Sequence, residues 1–432
     1  NISDGMGAVV FIMWFGFVIQ GSIMMGATAI VSRMTGARDY PQAQHGLHQA
    51  AMLGLLAGTI SCGLLFTCSD FMVTHVLTMN ETARAYALQY VYMAAFAAPF
   101  SGVVFAINAA LRGSGDTRLP FWIMMSVGIL NVIFSVIFVF ADAPLGGWRI
   151  GGIAAGTVCG YGISMCILLF IMLRRRKKIF TGRKNESLEE LVRERGEHYA
   201  PPLYLSFSHL RPDMGMQKRI LKIGLPQAVE VFGMWGIQMF CLSIISELPV
   251  KGVLGVHNIA VRIESLSFLP GFAIGMAAST LVGQYLGARN ALMARITIWK
   301  CMRYAVIFMT GLGVLFSAFP ALFMEIFSNG STTLIDTGIP VLRTMLVVEP
   351  FFAACIVMKM SLRGAGDTRR VMLISYGIMG FFRVVCTWVW FRLAPETMTL
   401  WGIWLVFAFE MAVQSAILYK IVKGRSWTKL QV

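Results

Sequence analysis

The sequence has 432 residues, of which 57% are apolar and only 13% are charged, and its formal net charge is +15. A soluble globular chain has about a quarter of its residues charged, so this composition excludes a water-soluble enzyme, a disordered protein and a disulfide-rich secreted domain. Residues 174–222 hold 19 of the 57 charged side chains. The composition predicts an all-α polytopic membrane protein with one large polar loop.

Eleven apolar stretches are long enough to cross a bilayer as helices, which takes about 20 residues each. Their apolar runs are continuous, whereas the strands of a membrane β-barrel alternate. In chain order the eleven predicted spans lie near residues 5–32, 47–68, 84–111, 119–141, 150–173, 221–246, 256–283, 297–320, 337–361, 371–392 and 400–422.

The placement of Lys and Arg predicts which connections are cytoplasmic, because cytoplasmic loops of membrane proteins are rich in these residues. One set of alternate connections includes the run Arg174–Lys178 and the C-terminal tail, whereas residues 69–83 and 320–342 carry no Lys or Arg. We therefore expect the large loop and the C-terminus to be cytoplasmic. The positive charge then fits contact with anionic lipid headgroups, and no nucleic-acid-binding motif competes with that interpretation.

An internal repeat divides the chain into two halves. The motif L-R-G-x-G-D-T-R begins at Leu111 and again at Leu362, 251 residues later. The triplet Gly36–Arg38 recurs at Gly287–Arg289 with the same offset. The offset crosses six spans, so the halves point the same way, as in transporters built from parallel repeats.

The repeat predicts two pseudo-symmetric six-helix lobes, of which this sequence contains eleven helices. We expect an N-terminal lobe at 1–173, a cytoplasmic linker at 174–220 and a C-terminal lobe at 221–432. The helix near Leu221 has no first-half counterpart, because that counterpart would precede residue 1. A sequence that lacks the first of twelve helices explains this, and a genuine eleven-helix protein is the alternative.

The repeated motif is interpreted as a hinge and helix cap, with a gating role as the alternative. Its glycines permit a left-handed turn, its first arginine offsets the negative helix C-terminus, and Asp-Thr can cap the next helix. These glycines are Gly113, Gly115, Gly364 and Gly366. Four prolines inside spans are kinks or bends that change between transport states: Pro99, Pro226, Pro270 and Pro350.

Acidic residues inside the membrane are costly, so each is a candidate functional group. All four lie in the second half, and Glu230 is the first candidate for coupling, followed by Glu349 and Glu264, with Glu410 last. Such a carboxylate can exchange a proton or Na⁺ against substrate. The alternative is an ion pair that only holds helices together, with Arg262, Arg343 or Arg383 as partner.

The sequence suggests no metal site, redox pair or organic cofactor. The eight cysteines lie in or at the ends of apolar runs and none forms a C-x-x-C motif. The 29 methionines and 31 phenylalanines pack or face lipid for the most part. A few could line an adaptable site for lipophilic cations, although the sequence does not identify them.

The chain resembles the MATE family, the multidrug and toxic compound extrusion transporters, and most closely its bacterial branches. The resemblance covers nearly the whole chain outside the linker. It rests on Gly224–Pro226, Arg262–Gly271, Ala277–Gln284, Gly287–Arg289 and both copies of the L-R-G-x-G-D-T motif. It implies two six-helix lobes around a cleft that opens alternately to either side.

The resemblance further implies export of small organic, often cationic compounds, driven by inward Na⁺ or H⁺ across a bacterial plasma membrane. Some members couple through an acid in their first helix, which this sequence lacks, and others through acids in the seventh and tenth helices. Glu230 and Glu349 lie on the matching helices. We expect a monomer, surrounded by lipid.

Two other functions remain open. A flippase for lipid-linked saccharides or cell-wall precursors shares the lobed architecture and predicts a basic cleft, for which Arg343 and Arg383 are available. The four intramembrane acids favour antiport over that alternative. An integral-membrane enzyme would need a polar catalytic cluster, and none is visible in the sequence.

Overall fold

The computed structural model describes residues 2–71, 73–74, 81–141, 146–179, 201–206, 211–250, 252–328 and 331–430, and every regular element in them is helical. The α-helices are α1 (Ile2–Gly36), α2 (Tyr40–Phe71), α3 (Glu81–Ala95), α4 (Ala97–Gly113), α5 (Arg118–Phe140), α6 (Arg149–Ile179), α7 (Met214–Ser246), α8 (Val253–Gly287), α9 (Ala291–Ala318), α10 (Pro320–Ser328), α11 (Thr332–Gly364), α12 (Thr368–Met379), α13 (Thr387–Leu393) and α14 (Leu400–Lys423). A π-helix at Gly380–Cys386 joins α12 to α13, and short 3₁₀ turns lie at Pro395–Thr397 and Ser426–Lys429.

The helices confirm the predicted all-α membrane fold. Ten described segments are long and apolar enough to span a bilayer, and α3 with α4 gives an eleventh if that pair is one span. Each of the eleven overlaps one predicted apolar stretch. The third differs from the prediction of a single helix, because its two parts meet at an angle of 48° around Phe96. The break lies one turn before Pro99, which cannot donate the hydrogen bond that would continue the helix.

Helix α5 exposes several large apolar side chains, whose contact with water would be unfavourable. On α5, Trp122 is 65% exposed, Val132 62% and Phe140 80%. Exposed apolar surface of this extent marks an interface with lipid or another protein. Since α5 has the highest mean hydropathy of the candidate spans, lipid is the natural neighbour of this helix.

The chain divides into two compact units, Asn1–Ala228 and Val229–Val432, so the boundary falls inside α7. The prediction of a linker at 174–220 rests on the polar, charge-rich composition of that range. In the structure α6 continues to Ile179 and α7 begins at Met214, so both ends of that range are helical. Residues 180–200 and 207–210 lie outside the described ranges.

The repeated motif forms the same turn in both units. After α4 the amide of Gly115 donates to Arg112 O and that of Asp116 to Leu111 O. After α11 the amides of Gly366 and Asp367 make the two equivalent bonds, and the distances agree within 0.1 Å. The second glycine of each copy has a positive φ, 93° at Gly115 and 90° at Gly366.

The first glycine of each copy has a different role from the one predicted. Gly113 and Gly364 are helical, so they do not make the left-handed turn. A Cβ on Gly364 would lie 2.2 Å from the carbonyl oxygen of Ser279, so only glycine lets α11 approach α8 so closely. In the first unit the equivalent close neighbour of Gly113 is Thr28 O.

The second repeated triplet also keeps its geometry. Arg38 and Arg289 have positive φ values of 61° and 56°, and they are the only described residues other than glycine that do. Each is followed by a helix cap, in which Asp39 Oδ1 accepts from Gln42 N and Asn290 Oδ1 accepts from Met293 N. The same backbone conformation and the same kind of helix cap therefore recur at the 251-residue offset, although most side chains of the two halves differ.

Part of the connection between α6 and α7 is bound to the start of α2. The amide side chain of Gln44 donates to Tyr204 O and accepts from Tyr204 N. His48 Nε2 accepts from Ser206 N at 3.0 Å while its Nδ1 lies 2.8 Å from Gln44 O, so the ring is a neutral Nδ1–H tautomer here. Leu205 is buried in the apolar core of the first unit.

One helical turn further, Gln49 fixes the residues just before α7. Its Nε2 donates to Arg211 O at 2.7 Å, and its Oε1 accepts from Asp213 N at 3.0 Å and from Gln217 Nε2 at 2.9 Å. His45 Nε2 lies 2.9 Å from Asp213 Oδ2. This contact, with a hydrogen bond from the Gly215 amide, holds the pKa of Asp213 below its ordinary value.

Replacing Gln49 with Ala is expected to release this segment. Gln49 is fully buried, and each buried polar group left without a partner costs about 1–3 kcal/mol. Local opening should increase by roughly tenfold or more, and hydrogen–deuterium exchange with mass spectrometry would show faster exchange in the peptide that contains the Asp213 amide. Gln42→Ala, at an exposed position of the same helix, is the matched control. Equal exchange rates in the two variants would contradict the role of Gln49.

Candidate functional site

Glu230 lies on α7 and is fully buried in an ion pair with Arg363 of α11. Arg363 Nη2 is 2.8 Å from Glu230 Oε2, and the Ser375 hydroxyl donates to Oε1 at 2.6 Å. Glu230 is 0% exposed and Arg363 only 9%. The sequence predicted that Arg363 would offset the charge of its own helix end, whereas the structure places its guanidinium on this carboxylate. Glu230 thereby links α7, α11 and α12.

Glu410 of α14 forms the second buried ion pair, with Arg383 of the π-helix. Arg383 Nε is 2.5 Å from Glu410 Oε2, and Arg383 Nη1 donates to Gln238 Oε1 at 3.2 Å. The guanidinium carbon lies 4.1 Å from the ring centroid of Phe407, within the range of a cation–π contact. π-Helical turns are rare and often occur at functional sites, and this one carries the arginine.

Glu349 has no basic partner among the described residues. It is 0% exposed, and its Oε1 lies 2.5 Å from the hydroxyl of Ser267 on α8. Its Oε2 is buried without a hydrogen-bond partner in the described structure. A Cβ on Gly313 would approach Glu349 Cγ to 2.9 Å, so α9 closes tightly over the acid. An ion pair therefore does not account for the buried carboxyl group of Glu349.

The Ser267 hydroxyl has two acceptors and one hydrogen. Besides Glu349 Oε1 it lies 2.9 Å from the backbone oxygen of Glu264. When Glu349 is ionised, Ser267 donates to it; when Glu349 is protonated, the acid donates to Ser267, which then donates to the Glu264 carbonyl. The same heavy-atom positions thus satisfy both protonation states of Glu349.

Glu264 itself is partly buried on α8. Its carboxylate makes no hydrogen bond or ion pair within the described ranges, but it interacts electrostatically with Arg383 and with Glu349. Two acids that repel each other favour a state in which one of them is neutralised. A proton or a monovalent cation would supply that neutralisation.

Of the three basic partners suggested by the sequence, only Arg383 lies in this cluster. Arg262 and Arg343 are exposed and make no ion pair in the described part of the chain. Arg363 takes the position next to Glu230 instead. No sequence pattern favours Arg363 as a partner of Glu230, because an arginine at the end of a span also fits the role of a cytoplasmic anchor.

Lys359 is a further member of the cluster that the sequence did not single out. It lies on α11, one turn before Arg363, and interacts electrostatically with Glu230 and Glu410. A lysine four residues before a loop arginine resembles a residue that snorkels to the membrane surface. The signal that could have identified it is the repeat, because its first-half counterpart is the uncharged Asn108.

The predicted prolines occupy two kinds of position. Pro226, Pro270 and Pro350 lie inside the continuous helices α7, α8 and α11. Pro99 instead follows the break between α3 and α4. Pro350 directly follows Glu349, and Pro270 lies one turn after Ser267. Two of the four prolines therefore flank the Ser267–Glu349 contact, and each weakens the backbone ladder of its helix at that level.

The arrangement provides a linked set of ionisable groups inside the second unit. Two carboxylates are held by arginines, and the two others lie close together without a basic contact. Chemically, a pair of carboxyl groups of this kind is suited to accept a proton or a monovalent cation. The set contains no nucleophile–base pair of the kind that covalent catalysis needs.

Comparisons with known proteins show that the chain is similar to membrane transporters. The chain is 24% identical over 433 residues to a probable multidrug resistance protein NorM of Thermotoga maritima, with 99% of this chain and 86% of the relative covered. It is 22% identical over 427 residues to a multidrug resistance protein NorM of Vibrio cholerae, covering 94% of this chain and 84% of that protein.

Solved structures share the fold. A transporter of the MOP superfamily from Pyrococcus furiosus, described as having a binding pocket of reverse polarity, superposes with a TM-score of 0.84 at 17% identity, covering 99% of this chain and 89% of its own. An outward-facing multidrug resistance MATE family transporter gives 0.82 at 18% identity, covering 100% and 92%. The MatE family matches residues 4–137 and 226–389. The chain therefore belongs to the MATE family of transporters, and it is a transport protein rather than an enzyme.

Proposed function

We propose that the protein is a secondary active antiporter that exports small, lipophilic organic cations in exchange for H⁺ or Na⁺. Relatives across nearly the full chain carry the name multidrug resistance protein, which supports varied organic substrates. The two units would alternately open a binding site to either side of the membrane. The protein would act as a monomer in a bacterial plasma membrane, with its central loop and C-terminus in the cytoplasm, as the Lys and Arg distribution indicates.

The Ser267–Glu349 contact supports ion coupling most directly. Glu349 is buried without a basic partner, its hydrogen-bond partner fits both protonation states, and Glu264 repels its ionised form. These features suit a group that gains and loses a proton in each cycle. The repulsion between the two carboxylates would equally favour Na⁺, so the coupling ion is a question for experiment.

Transport by purified protein in liposomes tests this proposal. The protein is reconstituted with a fluorescent lipophilic cation such as ethidium at equal concentration inside and outside the liposomes, and a pH gradient or a Na⁺ gradient is imposed separately. We expect one of the two gradients to drive movement of the dye against its own gradient. If neither gradient does so for a panel of lipophilic cations, the antiporter proposal is wrong.

A flippase for lipid-linked saccharides is the competing function. It requires basic side chains that are free to bind phosphate, but Arg363 and Arg383, the two arginines of the described cluster, are already paired with acids and leave Lys359 as its one basic side chain without a direct contact. The same liposomes can carry a fluorescent lipid-linked saccharide. Translocation of that lipid without gradient-driven dye transport would favour the flippase.

A further inference from the structure

Lys359 is a partly buried base that the coupling proposal does not use. It lies on the α11 face that also carries Cys355 and Arg363, each one helical turn away. Arg363 anchors one end of this face to Glu230 at 2.8 Å. At the other end, Cys355 Sγ contacts Met411 O at 3.4 Å, which anchors the face to α14 next to Glu410. The Lys359 side chain therefore extends between the two ion pairs.

The charges around Lys359 come from three helices. It interacts electrostatically with Glu230 of α7, with Cys355 and Arg363 of its own helix, and with Glu410 of α14. It makes no hydrogen bond or ion pair with any residue in the described ranges. Its ammonium thus lies near two carboxylates, each of which is already held on one side by an arginine.

The neighbouring face of α14 contains polar atoms without partners. Glu410 Oε1 and both amide atoms of Gln414 make no hydrogen bond in the described structure, and both side chains are 0% exposed. Glu410 and Gln414 are one turn apart on the helix face that includes Met411. Buried polar atoms of this kind are costly unless a partner reaches them at least part of the time, and the two oxygens, Glu410 Oε1 and Gln414 Oε1, call for a donor.

We propose that Lys359 is a tethered counter-cation shared by Glu230 and Glu410, which a bound organic cation or coupling ion displaces. With Arg363 and Arg383 it gives three positive charges against the four acids Glu230, Glu264, Glu349 and Glu410. The cluster is then short of one positive charge when empty, and a transported cation competes with the ammonium for the same carboxylates. The expected effects on stability do not depend on the proposed function, whereas the displacement of Lys359 by a transported cation rests on it.

The first test is a set of double variants measured by thermal unfolding in detergent. Lys359→Met should lower the Tm of the wild type, and it should lower it less when combined with Glu230→Gln and less when combined with Glu410→Gln, because each acid is then already neutral. Lys420→Met, at an exposed position in the last turn of α14, should have no effect. An equal loss in all three backgrounds, or coupling to only one acid, would overturn the shared role.

The second test measures binding of tetraphenylphosphonium in detergent. If the ammonium competes with this cation, Lys359→Met should lower its Kd by about tenfold, equivalent to about 1.4 kcal/mol, while Lys359→Arg and Lys420→Met leave it unchanged. A purely structural lysine predicts an unchanged or weaker affinity, and that result would overturn displacement. Absence of binding by the wild type would contradict the proposed function, while the unfolding measurements still decide the shared role.

Lys359→Met on its own could fail to fold. In that case the yield of monodisperse protein replaces Tm as the measurement. Recovery of folded protein in both the Lys359→Met/Glu230→Gln and Lys359→Met/Glu410→Gln variants would support the shared role, and recovery in neither would overturn it.

Discussion

Arg363→Met is expected to be the most destabilising single substitution in the second unit. It leaves the fully buried Glu230 carboxylate with the Ser375 hydroxyl as its one direct contact. Removing one partner of a buried ion pair costs about 3–5 kcal/mol, because the other charge remains without compensation in a medium of low dielectric. Thermal unfolding in detergent should show a large fall in Tm, with loss of monodisperse protein at the temperature of purification.

The double variant Arg363→Met/Glu230→Gln separates charge from packing. It removes both charges, so most of the lost stability should return, and Ser375 can still donate to the Gln side-chain oxygen. Arg369→Met, at an exposed position just after the same turn, is the control and should unfold like the wild type. A double variant as unstable as Arg363→Met alone would show that packing of the Arg363 stem, rather than the charge on Glu230, accounts for the loss.

The sequence predicted the helices because each span is a long apolar run, and a run of that length leaves few alternatives in a membrane. It also predicted the left-handed turns of the repeated motif, because the positive φ of the second glycine is a local property of the chain. The predicted capping by the Asp that follows holds for Asp116, which accepts from Leu119 N, but Asp367 makes no such bond. The role of Gly364 is not local. An added Cβ would lie 2.2 Å from Ser279 O, and Ser279 lies on a helix 85 residues earlier in the chain. A contact between residues so far apart in the chain cannot be inferred from a local sequence pattern.

The order of the candidate acids shows the same limit. The sequence placed Glu230 first because it lies one turn after Pro226, yet the structure gives its carboxylate both an arginine and a serine. Glu349, ranked second, has a buried oxygen with no partner. Charge and spacing identified the four acids, but only the fold shows which of them is already neutralised.

The repeat contains more information about the site than its motifs suggest. At the 251-residue offset the counterparts of Glu349, Lys359, Arg383 and Glu410 are Ala98, Asn108, Val132 and Cys159. Apart from Arg363, which matches Arg112 of the repeated motif, each charged member of the cluster that has a counterpart therefore corresponds to a neutral residue in the first half. A duplicated scaffold that acquires charge in one copy only points to a function specific to that copy, and this comparison needs no structure.

Glu349→Gln is expected to abolish coupled transport while the protein still folds. The amide has the shape of the protonated acid, and its oxygen can still accept from Ser267, so no buried charge is created or left unpaired. The variant is fixed in the neutral state and cannot release a proton or hold a cation. The gradient-driven part of dye transport should fall by about 5- to 150-fold, the range that a coupling free energy of 1–3 kcal/mol gives.

Three further measurements, one in detergent and two in the same liposomes, make this test specific. Tm in detergent should stay near that of the wild type, which excludes misfolding, and Glu325→Gln, an exposed acid of α10, should transport normally. Ser267→Ala should slow coupled transport less than Glu349→Gln, because the carboxyl group can still change its protonation state but loses the hydroxyl that satisfies both states. If Glu349→Gln transports as fast as the wild type under the same gradient, Glu349 is not the coupling acid, and Glu264 becomes the carboxylate to replace next.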